Sequence, residues 1–293
     1  MQFQGALTAI VTPFANGEVD EESYRALIEW QIESGIQGLV PCGTTGESAT
    51  LSHEEHKRVV SICVEQVKKR VPVLAGAGSN NTKEAVELTR YAKQAGADGA
   101  LHITPYYNKP TQAGLIEHFA AVAREVSMPF IVYNVPGRTS LNVLPATLAA
   151  MRKRIPEVVG VKEATGNLTQ ISEVLEYCGR DFVLLSGDDF TVLPTLALGG
   201  AGVISVTSNI VPGKMSGLVN AFFAGDLKKA QDIHYAISAL NRGMFLETNP
   251  IPVKTALAAM GRIKKEFRLP LTPMAPENEA KLLSILKDSR LIS

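Results

Sequence analysis

The sequence predicts an α/β fold, a (β/α)8 TIM barrel with a C-terminal helical appendage. Three observations point there. Eight short apolar runs alternate with longer segments whose apolar residues recur at helical spacing. Gly or Pro stands where those helices should stop, at Gly35, Pro72, Gly96, Pro129, Pro156 and Gly199. No Gly-x-Gly-x-x-Gly follows the first run, which argues against the rival doubly wound open sheet.

In chain order the strand-forming runs are 7–11, 38–41, 73–77, Gly99–Ile103, Phe130–Asn134, 158–162, 182–186 and 202–206. After the first run, Tyr24, Leu27, Ile28 and Ile32 share one helical face; after the second, Val59, Ile62, Cys63 and Val67 do so. Eight such units in about 220 residues give a period of roughly 27. Parallel connections of this kind are nearly always right-handed, and eight of them close a barrel. Beyond about residue 225 only helical patterns remain, over 226–242, 252–260 and 276–287. The expected division is a barrel over 1–224 and a helical unit over 225–293, packed together because no flexible linker separates them.

The charge balance excludes several partners. Among 293 residues, 29 Lys and Arg match 29 Asp and Glu, so no net field favours nucleic acid or an anionic membrane. No apolar stretch reaches the roughly 18 residues of a membrane span. Cys42, Cys63 and Cys178 are widely spaced, odd in number and outside any metal-ligand pattern. They read as reduced thiols of a cytoplasmic protein. Met1-Gln2-Phe3-Gln4-Gly5 lacks a basic region followed by an apolar run, so no secretory signal is expected there.

Barrel enzymes carry their chemistry at the C-terminal strand ends, and that rule selects the candidates. The sixth run ends Val158-Val159-Gly160-Val161-Lys162. Strict alternation places Lys162 on the face of Gly160 and Val158, with Val159 and Val161 opposite. Facing the interior, its ammonium group would be disfavoured by burial and its neutral amine would be a nucleophile; facing water, it is an ordinary lysine. The fifth run ends in Tyr133, whose phenol can relay a proton or simply pack. Arg138, on the loop beyond, can clamp a carboxylate with two parallel hydrogen bonds or face solvent. After the second run, Gly43-Thr44-Thr45-Gly46-Glu47-Ser48 suits an anion nest or an ordinary tight turn. Cys42 has no histidine nearby in sequence and reads as a packed thiol.

The fourth run leads into Thr104-Pro105-Tyr106-Tyr107-Asn108, which can close a pocket or meet another subunit. Ser52 and Glu55 form a capping-box pattern at the start of a helix bearing His53 and His56. No third ligand has recognisable spacing, so no metal site is expected. His102, His118 and His234 read as structural. Asp188 and Asp189 end the seventh run without an assigned role.

Three of these motifs resemble the dihydrodipicolinate synthase/N-acetylneuraminate lyase family of class I aldolase-like lyases. They are Gly43-Thr44-Thr45-Gly46-Glu47, Tyr133-Asn134-Val135-Pro136-Gly137-Arg138-Thr139 and Gly160-Val161-Lys162-Glu163-Ala164, and the resemblance covers essentially the whole chain. The arginine-bearing loop, Thr104-Pro105-Tyr106-Tyr107-Asn108 and Gly202-Val203-Ile204-Ser205-Val206 resemble the dihydrodipicolinate-forming members more than the sialic acid lyases. The resemblance implies condensation of pyruvate with L-aspartate 4-semialdehyde to 4-hydroxy-tetrahydrodipicolinate, on the way to diaminopimelate and lysine. The reaction would run through a Schiff base on Lys162, with no cofactor.

The implied roles follow residue by residue. Tyr133 relays protons, and Thr45 with Tyr107, the latter from a neighbouring subunit, completes a proton path. The backbone N–H groups of Thr44 and Thr45 hold the pyruvate carboxylate. Arg138 holds that of the semialdehyde, and the Ile204 carbonyl touches the adduct. Lysine-inhibited members imply an L-lysine effector among Ser48, Ala49, Leu51, His53, His56, Asn80, Glu84 and Tyr106, with Glu84 pairing its ammonium group. A homotetramer, a dimer of dimers, is also implied. A sialic acid or keto-deoxy sugar acid lyase would keep Lys162, Tyr133 and the nest without needing Arg138. A metal-dependent aldolase or hydrolase would need a His and carboxylate cluster at the strand ends. A non-catalytic binder could retain the scaffold alone.

Overall fold

Eight parallel strands form the centre of the computed structural model: β1 (Gly5–Ala9), β2 (Gly38–Val40), β3 (Leu74–Gly76), β4 (Gly99–Ile103), β5 (Phe130–Asn134), β6 (Val158–Glu163), β7 (Val183–Ser186) and β8 (Gly202–Ser205). The ladder runs β2-β1-β8-β7-β6-β5-β4-β3, and a parallel bridge between Leu39 and Val73 closes it into a barrel. Residues 3–293 are described. Met1 and Gln2, part of the N-terminal stretch read above for a signal, lie outside the described residues. A two-stranded antiparallel ribbon, Phe14–Ala15 with Glu18–Val19, follows β1. It escapes a periodicity reading because two residues carry no alternation.

The strands read as unbroken apolar runs because both their faces are covered. Leu7, Val40, Leu74, Leu101, Ile131, Leu185 and Ile204 fill the barrel interior. Alternate residues, among them Ala6, Leu39, Ala75, Val132, Leu184 and Val203, pack outward against the helices. The helices are α1 (Glu21–Glu33), α2 (His53–Val67), α3 (Thr82–Ala95), α4 (Gln112–Glu125), α5 (Pro136–Thr139), α6 (Pro145–Arg154), α7 (Leu168–Cys178), α8 (Val192–Ala197) and α9 (Pro212–Phe223). Several start on a side chain that accepts a backbone N–H, as Asp20, Asn81, Thr111 and Asn167 do. Each such cap contributes about 1 kcal/mol. The Ser52 and Glu55 capping box of α2 is present in both directions.

Helices α10 (Leu227–Gly243), α11 (Ile251–Ala259) and α12 (Pro276–Asp288) match the three C-terminal patterns to within a residue or so. Helix α10 packs on α9 and α12, so this part of the chain lies directly on the barrel's outer layer.

Two local expectations need correction. The alternation in β6 is not strict. Phe130 pairs with Val158 but Ile131 pairs with Gly160, so β6 carries one extra residue there. Val158 packs in the helix-facing layer and Val159 against the interior, the reverse of the strict reading, while Val161 faces the helices as expected. A bulge of this kind resets the faces of everything that follows it. Arg138 sits not on a loop but on the one-turn helix α5, begun by Pro136.

Candidate active site

The β5–β6 ladder sets Tyr133 opposite Lys162 and Asn134 opposite Glu163. The first pair faces the interior. The second faces out, where the Glu163 carboxylate accepts from Asn134 Nδ2 at 2.9 Å, Gln170 Nε2 at 3.2 Å and the Thr165 N–H at 2.9 Å. That outer network fixes the strand tips. Gly187, just past β7, leaves the lysine its room: a Cβ there would stand 3.1 Å from Lys162 Cγ and 2.7 Å from Ala164 Cβ.

Lys162 is 5% exposed. Its Nζ lies 4.0 Å from the centroid of the Tyr133 ring. Burial pulls its pKa from 10.5 down to about 7; the Arg138 charge acts in the same direction and Asp189 opposes. The amine is thus substantially neutral at physiological pH. Asp189 itself is buried and accepts from Ser205 Oγ at 2.5 Å, the Val206 N–H at 3.1 Å and the Thr207 N–H at 3.0 Å. It ties the end of β7 to the turn after β8 and places a negative charge near the lysine.

Lys162 and Tyr133 open into a cavity of about 340 Å³ that is also lined by residues 43–45, Arg138, Asp188 and Asn249. That is at the small end of ligand pockets and fits two short acids. In its loop, the N–H groups of Gly46, Glu47 and Ser48 bond back to the carbonyls of Gly43, Thr44 and Gly43. Those of Thr44 and Thr45 find no acceptor among the described residues, as an anion nest requires. Burial pushes the Tyr133 phenol up to about 12, while Arg138 and a side-chain hydrogen bond with Thr44 pull the other way.

Thr44 and Thr45 both line the cavity with Tyr133, and the Thr45 hydroxyl accepts from Asn249 Nδ2 at 3.0 Å. Ile204 is buried in β8 beside Leu7, and Val206, two residues on, lines the cavity. Tyr107 is 90% exposed, on left-handed backbone, and does not line its own chain's cavity. Cys42 is a buried free thiol whose pKa burial raises well above the ordinary value.

The eight residues implied for the effector do converge. A second cavity of about 590 Å³ is lined by Ser48, Ala49, Leu51, His53, His56, Glu84 and Tyr106. Asn80 adjoins it and donates Nδ2 to the Tyr106 carbonyl at 3.2 Å. His53 Nε2 lies 2.7 Å from Glu84 Oε1. The Ser79 hydroxyl and then His53 hold the Glu84 carboxyl below the usual range. Burial depresses His56 to about 4, so that ring stays neutral near pH 7. Thr44, Tyr133, Arg138 and Asn249 line both cavities, which thus share a wall.

Sequence reasoning missed Asn249. Its carbonyl accepts from Arg138 Nη2 at 3.1 Å and its side chain reaches Thr45, so it touches both carboxylate-binding candidates. An Asn-Pro pair reads only as a turn, and nothing in the sequence ties it to a loop 200 residues earlier. Among the described residues no three His, Cys, Asp or Glu side chains are grouped as a metal site would need. Among the same residues no helix is long and apolar enough to cross a membrane.

The model of the dihydrodipicolinate synthetase family matches residues 2–289. The chain belongs to that family. A 4-hydroxy-tetrahydrodipicolinate synthase of Nitratidesulfovibrio vulgaris (strain DSM 19637 / Miyazaki F) is 72% identical over 292 residues, the full length of both chains. A chloride-inhibited dihydrodipicolinate synthase of Acinetobacter baumannii, complexed with pyruvate, superposes with a TM-score of 0.96 at 45% identity over 99% of each chain. DHDPS of Cyanidioschyzon merolae with lysine bound gives a TM-score of 0.96 at 38% identity over 99% of each chain. Membership of the dihydrodipicolinate synthetase family accounts for the closed barrel and for the strand-end motifs together.

Proposed function

We propose that the chain condenses pyruvate with L-aspartate 4-semialdehyde to 4-hydroxy-tetrahydrodipicolinate, in the cytoplasm, as a step of diaminopimelate and lysine synthesis. The observation that carries the mechanism is the buried Lys162 amine, neutral in part near pH 7 and stacked 4.0 Å from the Tyr133 ring centroid. The neutral amine attacks the pyruvate ketone, water leaves, and an iminium forms on Lys162. That cation is the electron sink, so the methyl carbon sheds a proton to give an enamine and no separate cofactor is needed. The enamine carbon attacks the aldehyde of the second substrate. The substrate's own amine then displaces Lys162 by transimination and closes the ring.

Tyr133 relays the protons, and Thr45, which lines the same cavity beside Thr44, continues the path. The free N–H groups of Thr44 and Thr45 take the pyruvate carboxylate. Arg138, held by the Asn249 carbonyl, takes the carboxylate of the semialdehyde. Tyr107, exposed on its own chain, completes the relay of a neighbouring subunit in a homotetramer built as a dimer of dimers. The barrel over 1–224 carries the chemistry and the helical unit over 225–293 covers one side of it. L-lysine binds the second cavity, its ammonium group on Glu84. Support comes from the names of close relatives and from the pyruvate- and lysine-bound states of similar structures.

The test is reductive trapping. With pyruvate and a borohydride, mass spectrometry is expected to find one reduced pyruvyl adduct on Lys162 and none on Lys162→Ala. An adduct on another lysine, or full condensation by Lys162→Ala, would end the proposal.

A further inference from the structure

We infer that the buried ion pair of Glu47 and Lys254 is a positioning device for the active site, a strut from α11 that holds the loop over residues 43–47 where its free N–H groups can receive the keto acid. The inference rests on the reading of that loop as the pyruvate carboxylate site.

Both side chains are fully removed from solvent and bonded to each other. The Lys254 ammonium is further enclosed by the rings of Phe14 and Phe267, 4.2 and 5.3 Å from their centroids. A buried pair of this kind is a poor stabilising device, because apolar residues of similar volume commonly do as well. Its place in the fold is therefore the informative feature. Glu47 closes the nest and is also the residue from which the turn Ser48–Thr50 starts. Its backbone is left-handed, at φ 53°, a conformation that a glutamate keeps only when its surroundings hold it there. One carboxylate oxygen is bonded to Lys254, and the other has no partner among the described residues. Lys254 alone therefore sets where this carboxylate sits.

The remaining tethers of the loop show what the pair adds. Thr12 Oγ1 donates to the Gly46 carbonyl at 2.7 Å, and Asn249 Nδ2 reaches Thr45. The stretch around the start of α11 thus grips the loop twice, at Thr45 and at Glu47, and holds Arg138 by the Asn249 carbonyl. Of the contacts made from the start of α11, only the ion pair bears on the nest without also bearing on Arg138. Its removal should weaken the keto-acid site and spare the semialdehyde site.

The experiment uses the full-length double variant Glu47→Gln/Lys254→Met, which removes both charges at similar volume. Steady-state kinetics with both substrates are measured beside the pyruvate dependence of borohydride trapping and the melting midpoint. Pyruvate KM and the half-saturating pyruvate for trapping are expected to rise about tenfold, with the semialdehyde KM within about twofold of the parent. A pair that serves stability alone would move the melting midpoint and leave pyruvate KM unchanged, and that result overturns the inference. If the double variant does not fold, Glu47→Gln alone is read the same way. A parent chain that traps no pyruvate would refute the proposed function and remove the premise here, a result distinct from a parent and variant that trap alike.

Discussion

The depressed pKa of Lys162 makes a sharp prediction about pH. Its folded value is about 7 against 10.5 for an ordinary lysine. With pyruvate fixed, cyanoborohydride trapping at Lys162 follows the neutral fraction of the amine. That fraction is about one in eleven at pH 6 and about ten in eleven at pH 8, so the trapping rate should climb about tenfold and then level. A lysine in water would be neutral in roughly one molecule in 3,000 at pH 7 and would gain tenfold per pH unit up to about 10. Stability gives a second reading of the same number. Between about 7 and 10.5 the unfolded chain holds a proton that the folded chain has lost, so the lysine's contribution to stability rises with pH across that window. Below pH 7 both states are protonated and the fold carries the whole cost of the buried ammonium. The distance from 10.5 to about 7 corresponds to on the order of 5 kcal/mol. Lys162→Met should therefore be more stable than the parent at pH 6, and the gap should close as pH approaches 10. A trapping rate that keeps rising log-linearly past pH 9, together with an equal stability gap at both pH values, would refute the reasoning.

Three further outcomes are expected. Arg138→Ala should lower kcat/KM for the semialdehyde by roughly 10²- to 10³-fold while trapped pyruvate stays within about threefold of the parent; losing both alike would remove Arg138 from its assigned carboxylate. Because the Arg138 charge helps depress Lys162, the same variant should move the trapping inflection toward higher pH. Thr44→Val or Thr45→Val should lower kcat by about 10²-fold, and the larger loss identifies the hydroxyl in the Tyr133 relay; turnover unchanged in both would remove the pair from it. Titration calorimetry should show L-lysine binding to the parent and binding at least about tenfold weaker to Glu84→Gln, with uninhibited turnover unchanged; no heat from the parent at millimolar lysine would discard the effector site.

What the sequence discloses and what it hides divide along physical lines. Lys162 is legible because a cation closing an apolar run is conspicuous, and the barrel rule says where strand ends lead. The bulge in β6 is hidden, since one extra valine among valines changes no pattern of hydrophobicity. Thr44 and Thr45 are adjacent and chemically identical, so only the loop's backbone decides which one meets Tyr133. Arg138 was visible as a residue but not as part of a one-turn helix. Asn249 and Lys254 act across some 200 residues of chain, beyond the reach of any local pattern. A signal for Lys254 was nonetheless present: it is a lone cation among Ile251, Val253, Ala256 and Leu257 in a helix buried almost all round.

The extra residue in β6 has a consequence for how this barrel can change. The direction in which Lys162 emerges is settled by the regular register from Gly160 onward, where Ile131, Val132 and Tyr133 stand opposite Gly160, Val161 and Lys162, and the surplus residue lies outside those pairings. Deleting Val159 would leave Val158 opposite Phe130 and Gly160 opposite Ile131 as they are now, so the bulge would vanish while Lys162 stayed opposite Tyr133 on the inner face. The barrel can therefore lose a residue at that one spot without turning its nucleophile, because the pairings with β5 on either side hold the tip of β6 in place.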